Sequence, residues 1–198
     1  MQPGRAQLPL DEVALLISSA IQSGLDVDHW LDQLDELADG VEDRSAEGVA
    51  RHLFTTGHFA GNRTAYYDWH NSCLDRVIAT RTGIPISLSV LMIEVARRVE
   101  VDLCGVGMPA HFLVRSADDR ELFFDPFHQG RRLDRVGARA LFEQVTGGQV
   151  AWDDRFLEPT PNRDIVIRML NSLKGVFTGR SDAVRLAVRK VIENRTRH

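Results

Sequence analysis

Apolar side chains recur at three- and four-residue steps through the first part of the chain, the spacing of one face of a helix. Leu10, Val13, Ala14, Leu15, Ile17 and Ile21 form one such stripe, which ends at Gly24. Asp26 or Asp28 can cap a second helix carrying Trp30, Leu31, Leu34, Leu37 and Val41. A third starts at Ser45 and runs to Phe54. The pattern then breaks at Gly57-His58-Phe59-Ala60-Gly61-Asn62 and Tyr66-Tyr67-Asp68, where glycines and Asn between aromatics predict an ordered loop. Asn71 and Ser72 can each cap the next helix, with Leu74, Val77 and Ile78 on one face and Gly83-Ile84-Pro85 as its stop. Ile86 to Val99 is almost continuously apolar and predicts a central, buried helix, with Arg97 and Arg98 suiting the negative end of its dipole.

After Glu100 the pattern changes. Val101 to Met108, Phe112 to Arg115 and Glu121 to Phe124 are short β-rich runs; the last two are joined by the turn residues Ser116 to Arg120, which predicts an antiparallel meander. A helix over Val136 to Val145 follows, then a break at Gly147-Gly148 and a loop over Pro159 to Asn162. Two amphipathic helices, Asp164 to Phe177 and Ser181 to Asn194, complete the pattern. Helices, then a helix on an antiparallel sheet, then helices again make an α+β protein.

At 198 residues, 43% hydrophobic and 26% charged, the chain suits one globular core. Its net charge of −4 argues against nucleic acid as a partner. The basic residues Arg180, Arg185, Arg189, Lys190, Arg195 and Arg197 read as the solvated face of a helix. No signal peptide or membrane span is predicted, so a membrane partner is not expected. Cys73 and Cys104 lie far apart without a paired-cysteine motif, which predicts two free thiols in the reducing cytoplasm. Cys73, near a helix start, is expected to be moderately reactive, and Cys104, in an apolar strand, buried and inert.

Three residues fall in an order that suggests chemistry. Ser87 stands in the first turn of the buried helix, His111 at the start of the second strand and Asp125 at the end of the third. A nucleophile at a helix N-terminus has the dipole and free N–H groups beside it. A histidine on a neighbouring strand can act as base, and a carboxylate on the next can fix its tautomer. Each also has a plain reading: Ser87 as a helix-start residue, His111 as a core histidine, Asp125 as the start of a turn before Pro126. His111, Asp125 and His128 match no known zinc spacing, and no metal or other cofactor is expected.

Arg81-Thr82-Gly83-Ile84-Pro85-Ile86-Ser87-Leu88-Ser89, Pro109-Ala110-His111-Phe112-Leu113-Val114-Arg115 and Asp125-Pro126-Phe127 resemble the bacterial SirB-type proteins of the transglutaminase-like superfamily. Phe59-Ala60-Gly61-Asn62, Tyr66-Tyr67-Asp68, Asn71-Ser72, Leu10-Asp11-Glu12 and the run from Arg168 to Lys174 follow the same pattern. The resemblance implies a single unit over 1–198, with a helical part over 8–80, a transglutaminase-like core over 81–150 and a C-terminal helical pair over 163–195. It puts Ser87 where an active member has its cysteine, and His111 and Asp125 where that enzyme has histidine and aspartate. Asn62, Tyr66, Tyr67 and Asn71 become candidate binding residues. Ala110 departs from the glycine usual before the histidine, and Cys73 from a bulky apolar residue. A helix dipole can turn a cysteine into a thiolate but cannot ionise a serine hydroxyl. The implied function is therefore a degenerate-site module that binds an unknown peptide or protein partner. The alternatives are a serine-dependent hydrolase or acyl transferase using Ser87, His111 and Asp125, and a purely structural protein.

Overall fold

In a computed structural model, residues 9–176 are described, so the predicted Ser181–Asn194 helix and its basic cluster lie outside the described residues. Helix α1 (Leu10–Ile21) buries Leu10, Val13, Ala14, Leu15 and Ile17, the stripe seen in the sequence. Asp26 caps α2 (Val27–Asp39) by accepting from His29 N at 3.2 Å. Ser45 caps α3 (Ala46–Ala50), accepting from Gly48 N at 3.0 Å, and the chain continues as a π-helical turn over Arg51–Thr56. Neither Asn71 nor Ser72 caps the next helix as expected: both lie in a 3₁₀ turn, Trp69–Ser72, and the N-cap position of α4 (Leu74–Thr80) is held by Cys73, whose side chain makes no cap hydrogen bond.

Helix α5 (Pro85–Arg98) is the centre of the molecule, with every residue from Pro85 to Ala96 buried. Beside it lies a four-stranded antiparallel sheet in the order β3 (Leu103–Val106), β4 (Leu113–Ser116), β5 (Phe123–Asp125), β6 (Arg131–Leu133). Alternation along the strands divides the sheet's side chains between two cores. Phe112, Val114 and Phe124 join α5 and the N-terminal helices. Val106, Leu113 and Phe123 join Ala138, Leu141 and Phe142 of α6 (Arg135–Thr146), with Leu157 of a 3₁₀ turn closing that side. Helix α7 (Asn162–Val176) returns to the first core through Ile165, Val166, Met169 and Leu173.

Two features were not anticipated. Strand β6 is exposed and rich in arginine, so it carries no apolar alternation. A two-residue parallel pair, β1 (Ala60–Gly61) with β2 (Thr82–Gly83), is too short to show a period, yet it ties the aromatic loop to the segment entering α5. Arg97 and Arg98 do more than suit the helix dipole. Arg98 donates to Asp11 at 2.8 Å and to Asp35 at 2.6 Å, and Arg97 donates to Asp11 and Glu94 at 2.8 Å, which joins α1, α2 and α5. Among the described residues no helix is long and apolar enough to cross a membrane.

Candidate functional site

The site is built around the two ends of the β4–β5 hairpin. Residue Ala110, just before His111, has a φ of +62°, a conformation that glycine adopts without steric cost. This explains why glycine is usual there in the resembling family. The left-handed residue turns the chain so that His111 points inward while Phe112 enters the core. Arg168 on α7 fixes the turn by donating to His111 O at 2.7 Å. Asp125 ends β5 and caps a 3₁₀ turn, Pro126–His128, accepting from His128 N at 3.3 Å.

His111 and Asp125 come together as expected. His111 Nε2 lies 2.9 Å from Asp125 Oδ1, and both side chains are buried. His128, which the sequence offered only in a set without zinc spacing, is the third member: its Nδ1 lies 2.6 Å from Asp125 Oδ2, and its side chain is 27% exposed. Burial pushes the Asp125 carboxyl up, but the hydrogen bond from His111 and the charges of both imidazoles outweigh this and hold it below the usual carboxylate range. An ionised carboxylate only accepts, so both imidazole nitrogens facing it are donors. Arg131 Nη2, 3.9 Å away, adds a distant positive charge.

Ser87 does not join them. Its Oγ donates to Asn71 O at 2.6 Å, with Ile84 O at 3.1 Å, and accepts from Ile84 N at 3.1 Å. None of these bonds reaches His111, and Ser87 is 0% exposed. The residue is third in α5, where its side chain closes back on Ile84 as one half of a capping box. A Cβ placed on Gly83 would lie 2.7 Å from Ser87 Oγ, so the hydroxyl sits against backbone on that side too. Pro85, first in the helix, offers no N–H to an oxyanion.

The four candidate binding residues divide. Asn62 donates to Asn71 Oδ1 at 3.0 Å, and Asn71 donates to Ala65 O at 2.6 Å and to Tyr66 O at 3.2 Å. These two amides brace the loop from within. Tyr66 and Tyr67 face outward, Tyr67 at 79% exposure. Tyr66 meets Phe127 edge-on at 5.8 Å between ring centroids, and Phe127 meets His111 at 6.1 Å, so an aromatic path leads from the surface to the buried pair. Gly61 has no room for a side chain because Phe127 lies against it.

The cysteines reverse expectation. Both are free, but Cys73 is fully buried, and burial, reinforced by the Asp75 carboxylate, pushes its thiol up to about 12. Desolvation therefore overrides its place at a helix start. Cys104 is only half-buried, because β3 is an edge strand; burial raises its thiol and Arg115 partly offsets the rise. His128 could have been found from the Asp-x-x-His spacing, which places a histidine one helical turn after a carboxylate.

Comparison with known proteins agrees with this architecture. A UPF0162 protein of Xylella fastidiosa is 40% identical over 184 residues, covering 86% of this chain and 65% of the relative. One from Vibrio cholerae is 28% identical over 145 residues, covering 72% and 53%. F-box only protein 21 of Mus musculus is 39% identical over 90 residues, covering 41% of this chain and 14% of that protein. The chain thus spans between about half and two thirds of the length of the bacterial relatives it matches. No solved structure matches it. The family profile described as the transglutaminase-like superfamily matches residues 24–171, and the chain belongs to that superfamily.

Proposed function

We propose that this chain is a SirB-type, non-catalytic binding module, which recognises a peptide or protein partner through the Tyr66-Tyr67 loop and the His111–Asp125 pair. The observation that carries this reading is the state of Ser87. Its hydroxyl donates to Asn71 O at 2.6 Å, with Ile84 O at 3.1 Å, accepts from Ile84 N, and has no exposure and no bond to His111. Activating it as a nucleophile requires breaking those bonds and moving the oxygen out of the core. A buried polar group left unpaired costs about 1–3 kcal/mol, before any transition state is stabilised. The His111–Asp125 contact at 2.9 Å alone favours the serine-dependent alternative, since a base and its orienter are in place. They lack a hydroxyl to act on. Two free thiols fit a reducing compartment, and we place the protein in the cytoplasm.

The test is a peptide array probed with the full chain, followed by titration of the best sequence. Binding that weakens at least tenfold in Tyr67→Ala and is unchanged in Ser87→Ala supports the module. Labelling of wild-type Ser87 by a fluorophosphonate, lost in His111→Ala, overturns it in favour of the hydrolase.

A further inference from the structure

We infer that His111, Asp125 and His128 form a binding site for one divalent transition-metal ion of the zinc class. The linear spacing of these residues matches no zinc pattern. The fold brings together what the spacing separates. One ligand atom from each of the three residues lies within 4.8 Å of the other two. Asp125 and His128 are one turn apart on a short 3₁₀ element, so they form a chelating pair in the same way as an acid-x-x-His pair on an α-helix. His111 enters from the start of β4, positioned by the left-handed Ala110 and by Arg168 on its carbonyl.

The donor set selects the metal. Two imidazoles and one carboxylate are borderline ligands suited to zinc, cobalt or iron(II), whereas calcium and magnesium need shells of oxygen. Three protein ligands leave one position open. Metal–ligand bonds of about 2.0–2.2 Å put the ligands of a tetrahedral ion about 3.3 Å apart. The present separations, 2.9 Å from His111 to Oδ1 and 2.6 Å from His128 to Oδ2, therefore have to widen, by about 0.4 Å and about 0.7 Å. His128 is the member that can move: it is partly exposed and is followed by Gln129 and Gly130, both with positive φ. The same exposure gives the ion its way in. Arg131 opposes a cation, but it stands 3.9 Å off on a half-exposed side chain that is free to turn outward.

The imidazole N–H that faces Asp125 gives way on metal binding: in a neutral ring its proton moves to the other ring nitrogen, and the freed lone pair coordinates. An ion held this way occupies the nitrogen that His111 turns to Asp125. Metal loading and an acyl-transfer dyad are thus mutually exclusive, and a loaded ion would take the His111–Asp125 pair out of peptide recognition, leaving that role to the Tyr66-Tyr67 loop.

The test is competition for Zn²⁺ between the full chain and a chromophoric chelator at neutral pH, with Co²⁺ as a spectroscopic substitute. One equivalent bound at sub-micromolar affinity, and visible d–d bands of low-symmetry four-coordinate Co²⁺, are expected. His128→Ala leaves the buried His111–Asp125 contact intact and should weaken binding at least a hundredfold. His111→Gln should do the same, with folding verified by circular dichroism. Absence of a stoichiometric tight site in the wild type overturns the inference, as does undiminished affinity in His128→Ala, which would assign the metal to other histidines.

Discussion

Replacing Ser87 with alanine separates the two roles a serine can have at the start of α5. As a cap, Ser87 supplies a buried donor to Asn71 O and an acceptor to Ile84 N. Alanine removes both and leaves a void the size of an oxygen. The two backbone groups are not orphaned outright, because Ile84 N also donates to Asn71 O at 3.3 Å. That residual bond is long, so the cost falls in the middle of the range for a buried hydrogen bond and for loss of a helix cap, about 2 kcal/mol. For a protein of this size that lowers Tm by about 4–8 °C. Urea unfolding followed by circular dichroism should show a reduced midpoint with an unchanged m-value. A catalytic serine behaves in the opposite way: active-site residues are often held at the expense of stability, so their removal is neutral or stabilising. A change smaller than about 0.5 kcal/mol refutes the capping account.

Four further outcomes follow from the geometry. In the folded protein Cys104 should alkylate before Cys73, whose thiol at about 12 holds almost no thiolate at pH 8; mass mapping of labelled peptides checks the order. Because that native pKa lies above the unfolded value, the contribution of Cys73 to stability is complete at neutral pH and is lost as the pH rises toward 12, which Cys73→Ala should abolish. Asp125→Asn should cost about 1.5–3 kcal/mol at pH 7, the worth of charged hydrogen bonds. The native carboxyl lies below its unfolded value, so its contribution is present above about pH 4 and fades as the pH falls further; the gap between mutant and wild type should close in acid. Ala110→Gly should raise Tm slightly, since a left-handed alanine costs roughly 1–2 kcal/mol and the entropy of glycine returns about half of that. A lowered Tm there removes the strain argument.

The helices α1, α2, α5 and α6 and the first three strands of the meander could be read directly, because each carries an apolar period long enough to declare its type. The pair β1–β2 could not, having two residues a side, and β6 could not, because its register is set by β5 rather than by its own side chains. At the site, the order of His111 and Asp125 on neighbouring strands was legible from strand spacing. The direction of Ser87 was not. A residue in the first turn of a helix can face solvent or close back on the cap, and the choice depends on Asn71, a carbonyl sixteen positions away. His128 was missed for a related reason: linear zinc patterns describe ligands on one or two local turns, whereas this cluster spans a hairpin. The reactivity of Cys73 was misjudged because helix-end electrostatics is local and visible in sequence, while desolvation is set by everything packed around the thiol.

The central claim is that position 87 belongs to the helix cap and not to the His111–Asp125 pair. It is tested most directly by the pH dependence of alkylation of Ser87→Cys in the folded protein, with Cys73 and Cys104 replaced by serine and alanine, and with and without His111→Ala. The thiol should react slowly, only at alkaline pH or through unfolding, and with the same profile in both backgrounds. Rapid alkylation well below pH 8 that disappears with His111→Ala would show a thiolate made by the histidine, and would contradict the account.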